Sequence, residues 1–352
     1  MKTKIIKIDS QEPREEDLQE AASVIQNGGL VIIPTETVYG IAANMLNKDA
    51  MRRLNQIKER PKDKPFSLLI DKKETVEEYA KDIPISAYKL MEKFWPGPLT
   101  LVLKSKNNGT VGLRMPDNES ALKIISLAGV PIVCPSANIS GKPAPVDFEQ
   151  AISDLDGKVD LAVDDGKVKL GLESSVVDLS TNTPRVLREA AIKKEVIENT
   201  AKNKNILFVC TGNSCRSVMA EGFLKKKLKE KNRIDVEVYS AGIMMLSGSG
   251  ATDMTKQVLA NEGIDVSNHH SQKITKEMLK KSDIILVMEH LHEERILEIA
   301  PELKNRVFLL KEFAKIKGNS LNIEDPIGMP VEFYERTFSV IKEAVEKIME
   351  II

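Results

Sequence analysis

Cys210 and Arg216 are separated by five small or polar residues, in the run Cys-Thr-Gly-Asn-Ser-Cys-Arg-Ser that follows the apolar stretch Ile-Leu-Phe-Val. When a buried strand ends in such a loop and passes into a helix, backbone N–H groups and the positive end of the helix dipole converge where an oxyanion can bind. The same field stabilises a thiolate, so we expect Cys210 to be a nucleophile and Arg216 to hold two phosphoryl oxygens in a fork. The spacing predicts phosphatase chemistry without a metal.

The alternative for Cys210 is a buried apolar cysteine at a strand end, but the eight-residue run is far more specific than a lone cysteine. Cys215 has two interpretations: a packing residue, or a partner that traps Cys210 in a reversible disulfide on oxidation. The residues expected to surround the phosphoryl group of a substrate are Thr211, Gly212, Asn213, Ser214, Cys215 and Ser217.

The C-terminal part of the chain, from about Asn205 onward, resembles the low-molecular-weight phosphatase family. Besides the loop, the resemblance rests on Ser-Ala-Gly at 240–242, Ser-Asn-His at 267–269, a predicted strand at 283–288 and the pair Asp325-Pro326. It implies a flavodoxin-like or Rossmann-like parallel sheet and no cofactor. It also implies that Asp325 is the general acid that gives a proton to the leaving group.

The polar loop bears on the identity of the leaving group. Phosphotyrosine-specific members of the family carry bulky apolar residues in the loop and aromatic residues after the Asp-Pro pair, whereas this chain has Thr211, Ser214 and then Ile327-Gly328. Protein-arginine phosphatases of the same fold have a small hydroxyl residue where Ser214 stands, and the segment 307–312 is similar to theirs. The resemblance therefore implies a protein-arginine phosphatase, with a protein-tyrosine phosphatase as the alternative. A thioredoxin-coupled arsenate reductase is disfavoured because no cysteine follows Cys215.

The first two hundred residues carry a second set of polar motifs. An apolar run leads into Pro-Thr-Glu-Thr-Val-Tyr-Gly at 34–40, followed by Lys58-Glu59-Arg60, by Pro-Ser-Ala-Asn at 135–138 and by Val-Leu-Arg at 186–188. Alternating strand and helix patterns predict a mixed α/β domain. The sequence has no Walker loop, so side-chain cations and hydroxyls would have to hold the phosphates of a nucleotide.

This ordered set is similar to the YrdC-type threonylcarbamoyl-AMP synthase family over residues 5–192. The resemblance implies a twisted, mixed sheet with a concave cationic cavity. There bicarbonate carboxylates L-threonine, and the carbamate attacks the α-phosphorus of ATP and releases pyrophosphate. Mg²⁺ is expected on the ATP phosphates. The resemblance assigns Thr35, Arg114 and Ser174 to threonine, with Arg114 on its carboxylate, and it assigns to ATP the residues Lys58, Arg60, Lys64, Thr110, Ser136, Asn138 and Arg188.

Length and composition limit the organisation of the protein. A chain of 352 residues exceeds one ordinary domain, and the charged segment 191–205 predicts domains at 1–195 and 205–352 with a linker at 196–204. Lys and Arg total 51 and Asp and Glu 52, so the chain has no global basic field for a large nucleic-acid surface. No apolar stretch approaches a membrane span and the N-terminus lacks a secretory core, so a cytoplasmic protein with three reduced cysteines is expected.

The histidines do not form a metal-binding pattern, because His290-x-His292 has neither a nearby cysteine nor an i, i+4 partner. They are interpreted as solvated or helix-capping residues. The sequence thus predicts a bifunctional enzyme that uses ATP, L-threonine and bicarbonate in one half and phosphoproteins in the other, with tRNA-modifying proteins as candidate downstream partners. The alternative for the first half is a nucleotide-binding or RNA-binding module without turnover.

Overall fold

The computed structural model describes residues 2–9, 13–59, 66–181, 183–244, 249–318 and 320–352. The chain divides into two compact units, Met1–Ala201 and Lys202–Ile352. The helix Lys194–Lys202 occupies much of the predicted linker, and its residues Ile197 and Ala201 belong to the core of the first unit. The domain limits at 195 and 205 stay a prediction.

The first unit alternates short strands with helices. Its elements, in chain order and with a 3₁₀ turn at Lys73–Thr75, are β1 (Lys4–Lys7), α1 (Glu15–Gln26), β2 (Val31–Ile33), β3 (Gly40–Asn44), α2 (Lys48–Lys58), β4 (Leu68–Leu69), α3 (Val76–Tyr79), α4 (Ile85–Phe94), β5 (Leu99–Lys104), β6 (Thr110–Arg114), α5 (Glu119–Ala128), β7 (Ile132–Val133), α6 (Phe148–Ser153), β8 (Leu161–Asp164), β9 (Ser175–Asp178), β10 (Arg185–Arg188) and α7 (Lys194–Lys202).

These strands form one mixed sheet in the order β1-β8-β2-β3-β7-β4-β6-β5-β9-β10. Every residue of β2 and β3 is buried, which is expected of strands covered on both faces. Successive side chains of a strand point to opposite faces, and accordingly Leu30 and Ile32 enter one apolar cluster while Val31 and Ile33 enter another. The predicted mixed α/β sheet is confirmed.

The first and third motif segments of this unit lie side by side. The N–H of Ile41 donates to the carbonyl of Pro135, and the N–H of Ala137 donates to the carbonyl of Tyr39, both at 2.8 Å. A Cβ on Gly40 would lie 2.4 Å from Sγ of Cys134, so this approach requires glycine. The sheet therefore brings together motifs that are about a hundred residues apart in the chain.

The second unit is a smaller α/β layer structure. Its elements, with a 3₁₀ turn at Pro301–Arg306, are β11 (Lys204–Cys210), α8 (Arg216–Glu230), β12 (Val236–Gly242), α9 (Asp253–Ala260), α10 (Lys276–Lys281), β13 (Ile284–Val287), α11 (His290–Ile299), β14 (Val307–Leu309), α12 (Leu310–Phe313) and α13 (Val331–Ile351).

All strand pairs of this second sheet are parallel, in the order β12-β11-β13-β14. Phe208 packs into an apolar cluster with residues of α8 and α13, whereas Leu207 and Val209 pack into a cluster on the opposite face. The predicted parallel sheet is confirmed. Among the helices within the described ranges, none combines the length and the apolar composition that crossing a bilayer requires.

Candidate active sites

The loop between β11 and α8 lies where the topology of the second sheet reverses. β11 has β12 on one side and β13 on the other, so the connections after these strands diverge at its carboxyl end. In parallel α/β sheets this divergence leaves a crevice for ligands. Cys210 is the last residue of β11 and Arg216 is the first of α8, so both side chains lie at the crevice.

Asn213 fixes the path of this loop. It adopts the left-handed conformation with φ 54°, which asparagine tolerates better than most residues. Its Nδ2 donates to Oγ of Ser217 at 3.0 Å and to Oγ of Ser240 at 2.8 Å. Its carbonyl accepts from Nε2 of His269 at 2.8 Å, and its Oδ1 accepts from the N–H of Gln272 at 3.0 Å. Asn213 therefore ties the loop to α8, to β12 and to the segment between α9 and α10.

Gly242, the last residue of β12, lets the loop backbone approach closely because it has no side chain. A Cβ at this position would lie 2.7 Å from the carbonyl oxygen of Thr211 and 3.0 Å from the nitrogen of Asn213. The last residue of β12 must therefore be glycine for the loop to keep its position. This is the structural role of the Ser-Ala-Gly segment.

The Cys210 thiol is buried and faces hydrogen-bond donors. Its Sγ accepts from the N–H of Asn213 at 3.3 Å and lies 3.0 Å from Oγ of Ser217. Because Ser217 Oγ already accepts from Asn213, its hydroxyl hydrogen is free to point at the sulfur. Both contacts direct hydrogen-bond donors at the sulfur.

The guanidinium of Arg216 is almost completely buried, with 1 % of the residue exposed. Nη1 donates to the carboxylate of Glu289 and to the carbonyl of Ile323, whereas Nη2 donates to the carboxylate of Asp325 and to Oγ1 of Thr211. Nε has no hydrogen-bond partner within the described part of the chain. A buried unpaired donor costs about 1–3 kcal/mol, which a phosphoryl oxygen at the loop would offset.

The remaining loop residues contact one another and α9. The carbonyl of Ser214 accepts from the N–H of Thr252, and its Oγ lies 3.7 Å from Sγ of Cys215. A Cβ on Gly212 would lie 3.6 Å from the same Oγ, an ordinary contact. Cys215 is 2 % exposed, with Sγ 3.5 Å from Oγ1 of Thr252 and 3.8 Å from the hydroxyl of Tyr334. The packing interpretation of Cys215 matches this environment, and the disulfide interpretation stays a prediction.

A cavity of about 780 Å³ opens in the first unit, and six of the residues predicted from the sequence lie on its wall. Val38, Thr100, Cys134 and Glu173 are among its other lining residues. Burial raises the pKa of the Cys134 thiol to about 12, so this sulfur is neutral. The predicted residues on the wall are Lys58, Arg114, Ser136, Asn138, Ser174 and Arg188.

Lys58 organises one side of this cavity. Its Nζ donates at 2.7 Å to the carbonyls of Ser136 and Asn138 and to Oδ1 of Asn138. Ser136 Oγ in turn donates to Asn138 Oδ1 at 2.7 Å. The ammonium group thus holds the Ser-Ala-Asn turn in place, in addition to any contact that it makes with a ligand.

Arg188 and Ser174 form another part of the wall. Arg188 donates to the carbonyl of Ser174 at 2.9 Å and to its Oγ at 3.2 Å, and it pairs with Glu173 at 2.8 Å. Ser174 Oγ also lies 2.9 Å from Oγ1 of Thr100. These contacts fix the guanidinium at the end of β10 beside the hydroxyl of the residue that precedes β9.

Arg114, the last residue of β6, lines the cavity, and neighbouring residues hold its guanidinium group in place. Its Nη2 pairs with Glu36 at 2.8 Å and donates to Oγ1 of Thr37 at 2.8 Å, and its Nε donates to the carbonyl of Gly97 at 3.3 Å. Glu36 is 3 % exposed, so this is a buried ion pair. The Pro-Thr-Glu-Thr segment therefore orients the arginine.

Two of the predicted residues that the structure describes, Thr35 and Thr110, are not on the wall of this cavity. Thr35 is buried, donates to the carbonyl of Val38 at 2.6 Å and lines a smaller cavity of about 250 Å³. Thr110 is exposed at the start of β6, four residues from Arg114 and roughly 13 Å away along the strand. Arg60 and Lys64 lie outside the described residues.

Comparison with known proteins gives the same division of the chain. The Sua5/YciO/YrdC family model, described as telomere recombination, matches residues 23–190, and the low molecular weight phosphotyrosine protein phosphatase model matches residues 205–352. The threonylcarbamoyl-AMP synthase of Pyrococcus abyssi is 41 % identical over 211 residues, which are 57 % of this chain. The chain spans 62 % of that relative's length.

A relative of the second unit and a solved structure add to these matches. The protein-arginine-phosphatase of Geobacillus stearothermophilus is 37 % identical over 145 residues, covering 41 % of this chain and 93 % of that protein. The chain belongs to both families. A crystal structure of Sua5 from Pyrococcus abyssi complexed with L-threonine is 26 % identical, with a TM-score of 0.54, and covers 97 % of this chain and 98 % of that one.

Several residues of the Sua5/YrdC domain and of the phosphatase domain were missed by sequence reasoning. In the Sua5/YrdC domain Glu36 orients Arg114, and Thr100 contacts Ser174. In the phosphatase domain Glu289 pairs with Arg216, and His292 contacts Thr211 at 3.0 Å. Glu36 could have been found, because it stands inside the Pro-Thr-Glu-Thr segment.

The histidines of the phosphatase domain differ in environment. His290 is exposed and pairs with Glu293 at 3.2 Å, whereas His292 is fully buried within a capping box with Glu289. His292 caps the helix, as one of the two interpretations held, but it is not solvated. Over the described residues, no group of three or more His, Cys, Asp or Glu side chains could hold a metal ion.

Proposed function

We propose that the chain is a bifunctional enzyme, a threonylcarbamoyl-AMP synthase joined to a cysteine-dependent protein phosphatase. The observation that carries the first activity is the cavity wall, where two arginines, a lysine-held turn and several hydroxyls face one space. Adenylation of a carbamate brings several anions together, so it needs cations that neutralise their repulsion and hold them in line. The family membership supports the same reaction.

In this proposal, the Ser136–Asn138 turn and Arg188 hold the triphosphate of ATP, and Arg114 and Ser174 hold threonine. Mg²⁺ on the ATP phosphates stays a prediction, because Oδ1 of Asn138 already accepts hydrogen bonds from Lys58 and Ser136. Arg60 and Lys64 keep their predicted assignment to the phosphates. Thr35 and Thr110 keep their predicted assignments to threonine and to ATP, although neither lies on the wall of the large cavity.

The phosphatase reaction that the second site supports proceeds through a phosphocysteine. Sγ of Cys210 attacks phosphorus, so an S–P bond forms while the bond from phosphorus to the leaving group breaks. Asp325 gives its proton to the leaving group, and Arg216 with the loop N–H groups stabilises the equatorial oxygens. Water then attacks phosphorus, Asp325 takes its proton, and the thiolate departs.

A protein-arginine phosphatase is the specific activity that the mouth of this site favours. Thr211 and Ser214 present hydroxyls there, and Ile327 after the acid is an exposed aliphatic residue rather than an aromatic one. A phosphoguanidine is polar and forms hydrogen bonds, whereas a phenyl ring requires apolar walls. The related Geobacillus enzyme supports the same choice.

The test uses the full chain and its Cys210→Ala variant. The wild type should release pyrophosphate from ATP, L-threonine and bicarbonate, and should hydrolyse a phosphoarginine peptide faster than a phosphotyrosine peptide. The variant should lose the second activity and keep the first. A preference for phosphotyrosine would move the assignment to a tyrosine phosphatase, and no threonine-dependent pyrophosphate release would reduce the first half to a binding module.

We further expect a cytoplasmic enzyme whose adenylate is consumed by tRNA-modifying proteins. Threonylcarbamoyl-AMP is a mixed anhydride that is prone to hydrolysis, so the next enzyme must act in the same compartment. Separation of the lysate into soluble and membrane fractions, followed by immunodetection, tests the location. Recovery in the membrane fraction would contradict it.

A further inference from the structure

The first turn of α11 is attached to the phosphate loop at two points. Glu289 and His292 form a reciprocal capping box, in which the Glu289 side chain accepts from the His292 N–H and the imidazole accepts from the Glu289 N–H. The Glu289 carboxylate also pairs with Arg216, and the imidazole reaches Thr211. An ordinary cap needs only the first pair of contacts, so the contact with Thr211 calls for its own explanation.

The hydrogen bonds of His292 determine which ring nitrogen carries the proton. The N–H of Glu289 donates to Nδ1 at 3.1 Å, so Nδ1 must be unprotonated. In the neutral ring Nε2 then carries the hydrogen and donates to Oγ1 of Thr211 at 3.0 Å. Burial, followed by the charge of Arg216, lowers the pKa of His292 to about 4, so the ring is neutral at physiological pH.

Thr211 receives a second hydrogen bond on the same oxygen. Nη2 of Arg216 donates to Oγ1 at 3.1 Å. A hydroxyl oxygen has two lone pairs, and His292 and Arg216 occupy both. The hydroxyl hydrogen of Thr211 has no acceptor within the described part of the chain. Because Nη2 of Arg216 also donates to Asp325, the Thr211 hydroxyl lies on the side of the general acid.

We propose that His292 is a positioning residue that makes the Thr211 hydroxyl an obligatory hydrogen-bond donor to the phosphoryl group of the substrate. This inference rests on the proposed phosphatase function. It adds a side-chain donor to the backbone donors of the loop, placed next to the oxygen that Arg216 binds. A hydroxyl that could rotate freely would act as acceptor for part of the time and would repel the oxyanion.

Two substitutions separate this role from helix capping. The carbonyl of asparagine can accept the Glu289 N–H as Nδ1 does, but its side chain is too short to donate to Thr211. Glutamine reaches as far as Nε2 and can donate, and at this third helical position it is a usual capping-box acceptor. His292→Asn should therefore keep the cap and lose oxyanion affinity, whereas His292→Gln should keep both.

The experiment measures hydrolysis of para-nitrophenyl phosphate by the full chain, its inhibition by inorganic phosphate and tungstate, and the melting temperature. For His292→Asn we expect inhibition constants about tenfold higher than wild type, the effect of one lost hydrogen bond to a charged group. His292→Gln should lose less affinity and keep the melting temperature of the wild type. His290→Asn, on the exposed neighbour, is the matched control and should match wild type.

A double substitution tests the coupling through Thr211. Thr211→Val removes the hydroxyl, so adding His292→Asn to it should weaken tungstate binding no further. Additive losses would overturn the proposal, as would wild-type inhibition constants for His292→Asn. If the wild type itself neither hydrolyses the ester nor binds tungstate, the proposed phosphatase function fails instead.

Discussion

Asp325 and Arg216, 109 residues apart in the chain, are joined by a hydrogen bond from Nη2 to a carboxylate oxygen. The general acid of the proposed reaction is thus held at the guanidinium that would bind the phosphoryl group. A substrate must compete for Nη2, and its arrival at Arg216 frees the carboxyl group next to the leaving group. The contact therefore couples phosphate binding to the positioning of the acid.

Asp325→Asn should separate proton transfer from nucleophilic attack. The amide can hold the position of the carboxylate but cannot donate a proton, so turnover of phosphoarginine and phosphotyrosine peptides should fall about 10²–10⁴-fold. para-Nitrophenolate leaves without a proton, so its ester should lose much less activity. Steady-state kinetics with the three substrates checks this expectation. Equal losses on all three substrates would show that Asp325 is not the acid.

Gly242→Ala should displace the phosphate loop. The added methyl would lie 2.7 Å from the Thr211 carbonyl oxygen, which no ordinary contact allows. We expect phosphatase activity to fall at least about tenfold and the domain to lose about 1–3 kcal/mol of stability through overpacking. Gly318→Ala, where the nearest atom is 3.6 Å away, is the control. Full activity of Gly242→Ala would mean that the loop does not depend on this approach.

Stability of the phosphatase domain should decline in mild acid because of His292. Its pKa in the folded state is about 4, below the ordinary value of 6.5, so between these limits the unfolded chain binds a proton that the folded chain does not. The free energy of unfolding therefore falls with falling pH from about 6.5 to about 4, by an amount on the order of 3 kcal/mol.

Scanning calorimetry across this pH range measures the effect. The transition that inorganic phosphate shifts upward identifies the phosphatase domain. Because His292→Gln removes the titrating group, its stability should depend less on pH than that of wild type. An equal dependence of the free energy of unfolding on pH in both proteins would contradict the assignment of this effect to His292.

Arg188→Lys should weaken the synthase reaction. Lysine cannot reproduce the three contacts that place this guanidinium on the cavity wall, to the carbonyl and Oγ of Ser174 and to Glu173. We expect the KM for ATP in the pyrophosphate assay to rise about 10–100-fold, the effect of one or two charge-assisted hydrogen bonds. Arg185→Lys, on the same strand with 73 % of its side chain exposed, should change it by less than about twofold. A similar KM for ATP in both variants would show that Arg188 does not contribute to ATP binding.

Local sequence patterns were sufficient to predict much of the fold and of the candidate phosphatase site. The Cys-x5-Arg run predicted the loop between strand and helix, because spacing and residue type are local properties. The general-acid role of Asp325 rested on a resemblance, since an Asp-Pro pair by itself is an ordinary turn. Glu289 could not be predicted, because its partner Arg216 is 73 residues away and only the parallel order of β11 and β13 brings them together.

Thr110 is a residue whose position relative to the cavity could not be predicted from the local sequence. It stands on β6 together with Arg114, which is on the cavity wall, and the family resemblance assigned it to ATP. Because β6 is an extended strand, four residues carry Thr110 beyond the cavity to an exposed position. His292 was interpreted from local spacing alone, which indicates a helix cap but cannot show that the ring faces a loop 81 residues earlier.

The most direct test of the central claim is the detection of a phosphoryl group on Cys210. Full-length protein is mixed with a phosphoarginine peptide, quenched within its first turnover, digested and examined by mass spectrometry, with Cys210→Ala as the control. The account predicts one added phosphoryl group on the peptide that contains Cys210 in the wild type and none in the variant. Turnover of the substrate with no phosphocysteine in the wild type, or undiminished turnover by Cys210→Ala, would contradict it.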